Sequence, residues 1–426
     1  MSLQRALNRL VAVRADEVRA LLWSFAYFFC LLASYYVLRP LRDEMGIAGG
    51  VRNLHWLFTA TFVVMLAAVP IFGALVARLP RRRFIPLVYQ FFVVNIAIFW
   101  ALLTLDYARE HVARVFFVWI SVFNLFAVSV FWSFMADVYR SDQAKRLFGF
   151  IAAGGSAGAL AGPALTVGLA TAIGLVNLLI VAGLLLEAAV LCATRLERVA
   201  PESAAAPASA AASRSPIGGN WLAGFALLLR SPYLAGIALW VLLLSLAGTF
   251  LYFAQANIVA AASDDPAVRT RIFAGIDLAA GILTLIVQAF ATGRLITRFG
   301  VGPAAALLPL VFALGFVALA VNPVLLVVIA FQAIQRTANF AISNPAREVL
   351  FTVAAREEKY KAKYLIDGVI FRGGDAVSGW LFNALRAAGL ELQAISAATV
   401  PVVAGWFAVA LLLGKAQERR ARKERN

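Results

Sequence analysis

The chain has 426 residues, of which 62% are hydrophobic and 14% charged, and its mean hydropathy is +0.85. Soluble proteins are nearer half apolar and a quarter charged, so this composition predicts a membrane protein and excludes a soluble enzyme. The two cysteines lie inside apolar runs and the two histidines flank different segments, which leaves no basis for a disulfide framework or a metal site. We therefore expect neither a metal nor a cofactor.

Apolar runs long enough to cross a bilayer predict an all-α polytopic membrane protein. In chain order they give twelve spans: 20–41, 53–77, 84–105, 113–136, 147–171, 174–193, 231–255, 271–292, 302–321, 323–345, 364–385 and 393–414. Residues 199–220, rich in Ala, Ser and Pro, predict a flexible linker, and residues 221–230 predict a short surface helix. The predicted domains are a six-helix half (1–198), this linker and surface helix (199–230), a second six-helix half (231–414) and a basic tail (415–426).

Charge is distributed unevenly over the connections between the spans. If the N-terminus is cytoplasmic, the inner connections carry 28 Lys and Arg and the outer ones carry 8. The positive-inside rule then predicts that both termini are cytoplasmic. The net charge of +16 is thus explained by topology beside anionic lipid, without a nucleic-acid partner. An excess of Arg over Lys (32 to 6) with abundant Ala indicates a GC-rich bacterial genome, and hence the bacterial inner membrane. We expect a monomer there.

An internal repeat supports the division into halves. The pattern Gly73-x-Leu75-Val76-x-Arg78 recurs, shifted by 220 residues, as Gly293-x-Leu295-Ile296-x-Arg298. A second pattern, Ala144-Lys145-x-Leu147, recurs as Ala362-Lys363-x-Leu365 with a shift of 218. Two parallel six-helix halves are a transporter plan in which a small-molecule substrate binds midway between the repeats.

Two motifs resemble those of the major facilitator superfamily. Residues 73–83 are similar to the loop between its helices 2 and 3, although Ala77 stands where an acidic residue is usual. Gly149, Gly158, Gly162 and Pro163 resemble its antiporter motif. Gly154, Gly158 and Gly162 also have the spacing of close helix packing, which is the simpler interpretation.

Three stretches resemble a narrower family, the bacterial and plastid ATP/ADP translocases. They are Tyr35–Asp43, then Phe131–Asp137 with Gln143–Gly149, and finally Asn344–Glu348 through Lys363 to Asp367, Arg372 and Gly374. This resemblance implies twelve helices and nucleotide exchange by an ATP:ADP antiporter. However, Asp375 stands where the family tends to have a lysine. A carboxylate there would repel a polyphosphate, so the substrate need not be ATP.

Polar side chains recur at helical spacing in the predicted spans. In the tenth span, Gln332, Gln335, Arg336, Asn339 and Ser343 share one α-helical face about 16 Å long. Three further spans show similar patterns: Ser245, Thr249, Tyr252 and Gln255; Asp277, Gly281, Thr284 and Gln288; and Gly368, Arg372, Asp375 and Gly379. Arg372 and Asp375 can pair at i,i+3. Since charges at membrane depth usually mark function, these faces predict either a substrate pathway or a buried ion network.

The end of the first span carries a charged cluster in which Arg39 and Asp43 are spaced to pair at i,i+4. It is either an interfacial cap or an anion-binding pair of guanidiniums. The candidate substrate-binding residues are Tyr36, Arg39, Arg42, Asp43, Asp277, Gln332, Arg336, Asn339, Arg372 and Asp375.

The sequence thus predicts a secondary transporter that works by alternating access and exchanges nucleotides or another organic anion. The alternative within transport is a proton-coupled exporter of drugs or metabolites, with Asp277 and Glu187 as proton-coupling candidates. A non-transporting membrane receptor or assembly protein is the alternative from another class.

Overall fold

The computed structural model describes residues 13–425 except 15, 79–80, 200–227, 229, 291, 354–361 and 364. The described regular elements are helices. The α-helices are α1 (Val18–Ala48), α2 (Leu54–Arg78), α3 (Arg81–Thr104), α4 (Arg109–Val138), α5 (Ser141–Ile173), α6 (Leu178–Val199), α7 (Pro232–Ala262), α8 (Pro266–Phe290), α9 (Thr292–Phe299), α10 (Val301–Val321), α11 (Leu325–Ala338), α12 (Asn344–Leu350), α13 (Phe371–Ala387) and α14 (Leu392–Arg425). Two π-helical segments, Asn339–Ser343 and Leu365–Ile370, precede α12 and α13.

Eleven segments of the described chain are long and apolar enough to cross a membrane. This confirms the predicted all-α polytopic fold. The predicted span 364–385 is not among the eleven: it is divided into the segment Leu365–Ile370 and α13. With 17 residues, α13 is shorter than the roughly 20 that cross the hydrocarbon.

The side chains of α3 show how a spanning helix is placed. Leu87, Phe91, Val94 and Ile98 follow each other at steps of four, three and four, and each is more than half exposed. On the opposite face, Tyr89 and Phe92 are buried in the core. An exposed apolar face on one helix is costly in water but is the expected surface toward lipid.

The predicted tenth span is not a uniform α-helix. It consists of α11, the π segment Asn339–Ser343 and α12. Pro345 lies in the first turn of α12, where its missing N–H and its ring would disrupt an uninterrupted ladder to residue 341. The wider π turn accommodates this, and it shifts the register of the side chains that follow. The prediction that Gln332 through Ser343 share one α-helical face is therefore wrong at its C-terminal end.

The chain forms two compact units that do not coincide with the two sequence halves. The first unit comprises Met1–Gly49, Val63–Ser215 and Asp265–Leu278, and the second comprises Gly50–Phe62, Pro216–Asp264 and Ala279–Asn426. Thus α2 and α8 each contribute a segment to both units. The predicted linker and surface helix lie almost wholly outside the described residues, so the predicted domain boundaries stay a prediction.

The core of the first unit is rich in aromatic rings. Tyr27 donates a hydrogen bond to Tyr89 (2.6 Å between the hydroxyl oxygens), and the Tyr89 hydroxyl donates to the carbonyl of Ala127 (3.1 Å). The ring of Tyr27 lies 4.8 Å from that of Phe131. Since both hydroxyls are fully buried, these bonds avoid the cost of leaving a polar group unpaired.

Glycines let α5 pack directly on α1. A Cβ added at Gly158 would overlap the backbone of Phe29 and lie 2.9 Å from the amide nitrogen of Ala33. Gly154 and Gly162 meet the backbone of α1 in the same way. In the second unit, Gly374 makes the equivalent approach of α13 to α7, with Ser245 Oγ 2.8 Å from an added Cβ. The structure thus agrees with the interpretation of these glycines as packing residues.

Candidate functional site

In the first unit, Arg39 contacts a buried carboxylate. Its Nη1 lies 3.6 Å from Oδ1 of Asp277, whose side chain is 1% exposed. The Arg39 guanidinium also lies over the ring of Tyr36, 5.6 Å from its centroid. Pro40 does not interrupt α1, which continues to Ala48. The structure therefore brings together three of the predicted site residues, Tyr36, Arg39 and Asp277.

Arg42 and Asp43 form a second ion pair beside the first. Arg42 Nη1 lies 3.5 Å from Asp43 Oδ1, and the guanidinium stacks over the ring of Phe117 at 4.2 Å. The sequence pointed to Arg39 as the partner of Asp43. The structure gives ion pairs of Arg39 with Asp277 and of Arg42 with Asp43, and the Arg39–Asp43 pair stays a prediction.

Glu44 and Arg269 form a strong ion pair that the sequence did not predict. Arg269 Nε and Nη2 each lie 2.6 Å from one carboxylate oxygen of Glu44, in a bidentate arrangement. The side chains are 1% and 11% exposed. Two residues 225 positions apart carry no local signal for such a contact.

In the second unit, the polar face of α11 is buried. Gln332, Gln335 and Arg336 are each at most 9% exposed. Gln332 Nε2 donates to Gln255 Oε1 on α7 at 2.5 Å. The polar stripes predicted for the seventh and tenth spans thus meet at this amide pair.

Several buried polar atoms near these helices have no hydrogen-bond partner among the described residues. They are Gln255 Nε2 on α7, Thr284 Oγ1 on α8, and Asn339 Oδ1 and Ser343 Oγ in the π segment. A buried polar atom without a partner costs about 1–3 kcal/mol, so each of these atoms can gain free energy by bonding to water or to a polar ligand.

Asp375 is held by three polar side chains. Its Oδ1 accepts hydrogen bonds from Ser245 Oγ at 2.6 Å and from Thr249 Oγ1 at 3.3 Å. Arg372 Nη1 lies 3.5 Å from Oδ2, which confirms the predicted i,i+3 pair. Arg372 keeps 36% of its side chain exposed, so it retains donors for a further partner.

The remaining candidates lie apart from these clusters. Glu187 on α6 accepts a hydrogen bond from Gln90 Nε2 of α3 at 3.0 Å. Asp367, in the second π segment, lies 3.4 Å from Arg347 Nη1. In the part of the chain that the structure describes, no group of three or more His, Cys, Asp or Glu is arranged to hold a metal ion.

Comparison with known proteins identifies the fold. No family model and no curated protein matches the chain. Among solved structures, the nucleoside transporter NupG is similar with a TM-score of 0.60 and 14% identity over 96% of this chain and 99% of the other. A NupG mutant gives a TM-score of 0.62 at 13% identity over 95% and 99%. A bacterial homologue of the human lysosomal transporter Spinster, in an inward-facing and unoccupied conformation, gives 0.51 at 14% over 96% and 98%.

These neighbours cover nearly the whole chain, so the fold is that of the transporters of the major facilitator type. This agrees with the fold that the broader of the two sequence resemblances implies, while membership of that superfamily stays a prediction. An identity of 13–14% carries no information about the substrate.

Proposed function

We propose that the chain is a secondary transporter of the bacterial inner membrane that exchanges small organic anions by alternating access. The observation that carries this proposal is the set of buried, unpartnered polar atoms on α7, α8 and the π segment Asn339–Ser343. A receptor or scaffold gains nothing from such atoms inside its spanning helices, because each one costs free energy. A transporter needs them to contact a polar substrate.

The two π-helical segments favour a protein that changes conformation as it works. Both lie in spans that the sequence marks as polar, and both belong to the second unit. π turns are rare and occur frequently at functional sites, because their looser hydrogen-bonding ladder can change register. The fold neighbours that are named as transporters point in the same direction.

The charge of the candidate residues favours an anionic substrate. Four of the candidate substrate-binding residues are arginines: Arg39, Arg42, Arg336 and Arg372. A guanidinium binds a carboxylate or phosphate in a bidentate fork, which suits recognition of an anion. The resemblance to the ATP/ADP translocases makes a nucleotide the first substrate to test, whereas the NupG structures are those of a nucleoside transporter.

Proton coupling is disfavoured by the position of Asp277. Its carboxylate lies 3.6 Å from the guanidinium of Arg39, with which it forms an ion pair inside the first unit. Protonation of this carboxylate would break the ion pair. Exchange is therefore the proposed mode, and no bound cofactor takes part.

Counterflow in proteoliposomes tests the proposal. Vesicles loaded with unlabelled ADP should take up labelled ADP several-fold faster than empty vesicles, and adenosine should neither enter nor compete. Arg336→Gln should abolish this uptake. The control Arg298→Gln also removes one positive charge, but at an exposed position, and it should leave uptake unchanged. Adenosine counterflow without ADP counterflow would contradict the anionic substrate class. Failure of every organic anion tested to exchange would contradict transport by exchange.

A further inference from the structure

A polar cavity lies in the second unit, apart from the candidate substrate-binding residues. Its volume is about 360 Å³, and it is formed where the beginning of α2 meets the ends of α7 and α13. Its polar lining consists of Arg52, His55, Asn257, Asn383 and Arg386. None of the candidate transport residues lines it. The distribution of positive charge predicts that this end of the helices faces the outside of the cell.

The lining of this cavity is cationic. It includes two guanidiniums and no carboxylate. No described carboxylate lies within ion-pair distance of Arg52. Arg386 Nη1 contacts the carbonyl oxygen of Leu390 at 3.2 Å and Glu391 Oε2 at 3.4 Å, but the Glu391 side chain is 79% exposed. An exposed carboxylate at this distance competes weakly for the guanidinium, because water screens the pair.

The floor of the cavity is apolar and rigid. Phe253 and Phe382 are each 3% exposed, and their ring centroids lie 5.2 Å apart. Gly379 permits this packing, since an added Cβ would lie 3.2 Å from the Phe253 ring and 3.3 Å from Cα of His55.

Contacts of α2 with α13 fix the adjoining wall. Trp380 Nε1 donates to Thr59 Oγ1 at 3.0 Å, and the Trp380 ring lies 4.4 Å from that of His55. A cavity held by such packing exists before its ligand binds, which lowers the cost of binding.

We propose that this cavity is a binding site for a small aromatic or heterocyclic phosphate ester taken from the aqueous phase. The phosphate is held by the forks of Arg52 and Arg386, and the ring of the ligand lies on Phe253 and Phe382. The volume is at the lower end of the range of about 300–1,000 Å³ for small-molecule pockets, which fits a ligand with one ring system. The inference concerns binding alone and does not depend on transport.

Binding of phenyl phosphate to the purified full-length chain tests the site. Fluorescence of Trp380 reports occupancy beside His55, and Trp380→Phe identifies the part of the signal that comes from this ring. Phenyl phosphate should bind at least tenfold more tightly than inorganic phosphate or phenol alone, because its phosphate contacts the two guanidiniums and its ring contacts the apolar floor. Arg52→Gln/Arg386→Gln should weaken its binding at least tenfold, and these exposed positions tolerate a polar replacement.

The matched control is Arg109→Gln, which removes an exposed cation that lies outside the cavity. It should leave phenyl phosphate binding unchanged. Equal binding by the double variant and the wild type would overturn the proposal. The second source of a phosphate is a lipid headgroup, so the titration is repeated in nanodiscs with and without phosphatidylglycerol. Unchanged affinity supports the aqueous ligand, whereas loss of phenyl phosphate binding in phosphatidylglycerol would assign the site to lipid instead.

Discussion

Glu44 and Arg269 form a buried bidentate ion pair within the first unit, with both nitrogen–oxygen distances at 2.6 Å. Glu44 lies near the end of α1, and Arg269 lies in the first turn of α8. The pair fixes these two helix ends to each other. Since both groups are withdrawn from water, the loss of either partner leaves an uncompensated buried charge.

We expect Glu44→Gln to destabilise the protein by about 3–5 kcal/mol, the usual cost of breaking a buried pair. Thermal unfolding of the purified protein in detergent measures this as a lower Tm. The double variant Glu44→Gln/Arg269→Gln should be less destabilised than the sum of the single changes, because no buried charge is left. Glu110→Gln is the control: it breaks the exposed pair with Arg114 and should cost under about 1 kcal/mol. Equal effects of the two Glu→Gln changes would show that burial of Glu44 is unimportant.

The glycines of α5 allow a comparison within one helix. Gly158→Ala should lower expression and Tm strongly, because its Cβ would overlap the backbone of Phe29, which cannot move aside as a side chain can. Gly168→Ala should be tolerated or stabilise the protein by up to about 1 kcal/mol, because an added Cβ there has no atom within 4 Å and Ala favours a helix. Fluorescence size-exclusion profiles and Tm measure both. A normal Gly158→Ala protein would contradict the close packing of α5 on α1.

The sequence predicted most of what depends on local pattern. Eleven of the spans follow from runs of apolar residues. The Arg372–Asp375 pair follows from a spacing of three on one helix, and it is found at 3.5 Å. The packing role of Gly158 follows from the repeated spacing of small residues.

What the sequence could not predict depends on contacts between distant segments. Asp277 has no cation one turn away in its own helix, and its partner Arg39 reaches it from α1, which is more than 200 residues away in the sequence. The π segment before Pro345 changes the register of the tenth span, and spacing rules assume a uniform α-helix. The cavity at Arg52 and Arg386 joins the turn Val51–Asn53 and the beginning of α2 to the ends of α7 and α13, which are distant from one another in the sequence.

Glu17 should make the stability of the first unit depend on pH. It lies just before α1, where Arg146 Nη2 and Gln143 Nε2 donate to its carboxylate at 2.9 and 3.0 Å. Burial alone would raise the pKa of Glu17, but the hydrogen bonds from Arg146, the Arg14 backbone and Gln143 outweigh it and lower the pKa to about 2. Because the folded pKa is below the unfolded value near 4.5, the stabilisation is present above pH 4.5 and is lost as the pH falls toward 2.

The difference in Tm between wild type and Glu17→Gln measures this contribution. It should be constant from pH 7 to about pH 5 and shrink below about pH 4.5, because protonation removes the same charge that the substitution removes. The corresponding difference for Glu110→Gln should be small throughout. A Glu17→Gln difference that grows on acidification would mean that the folded pKa of Glu17 is raised and that the assigned hydrogen bonds do not hold its charged form.

The last prediction separates exchange from proton coupling through Asp277. Since protonation of Asp277 would break its ion pair with Arg39, we expect an imposed pH gradient to drive no substrate movement in proteoliposomes, whereas internal substrate accelerates uptake several-fold. Asp277→Asn removes the partner of Arg39 without changing the shape of the side chain. In an exchanger it should change the apparent affinity for the anion, because a carboxylate that competes with the anion for Arg39 is removed, while counterflow persists. In a proton-coupled exporter the same variant would instead abolish gradient-driven transport. The opposite result is that a pH gradient drives substrate uptake by the wild type but not by Asp277→Asn. That result would contradict exchange and support a proton-coupled exporter.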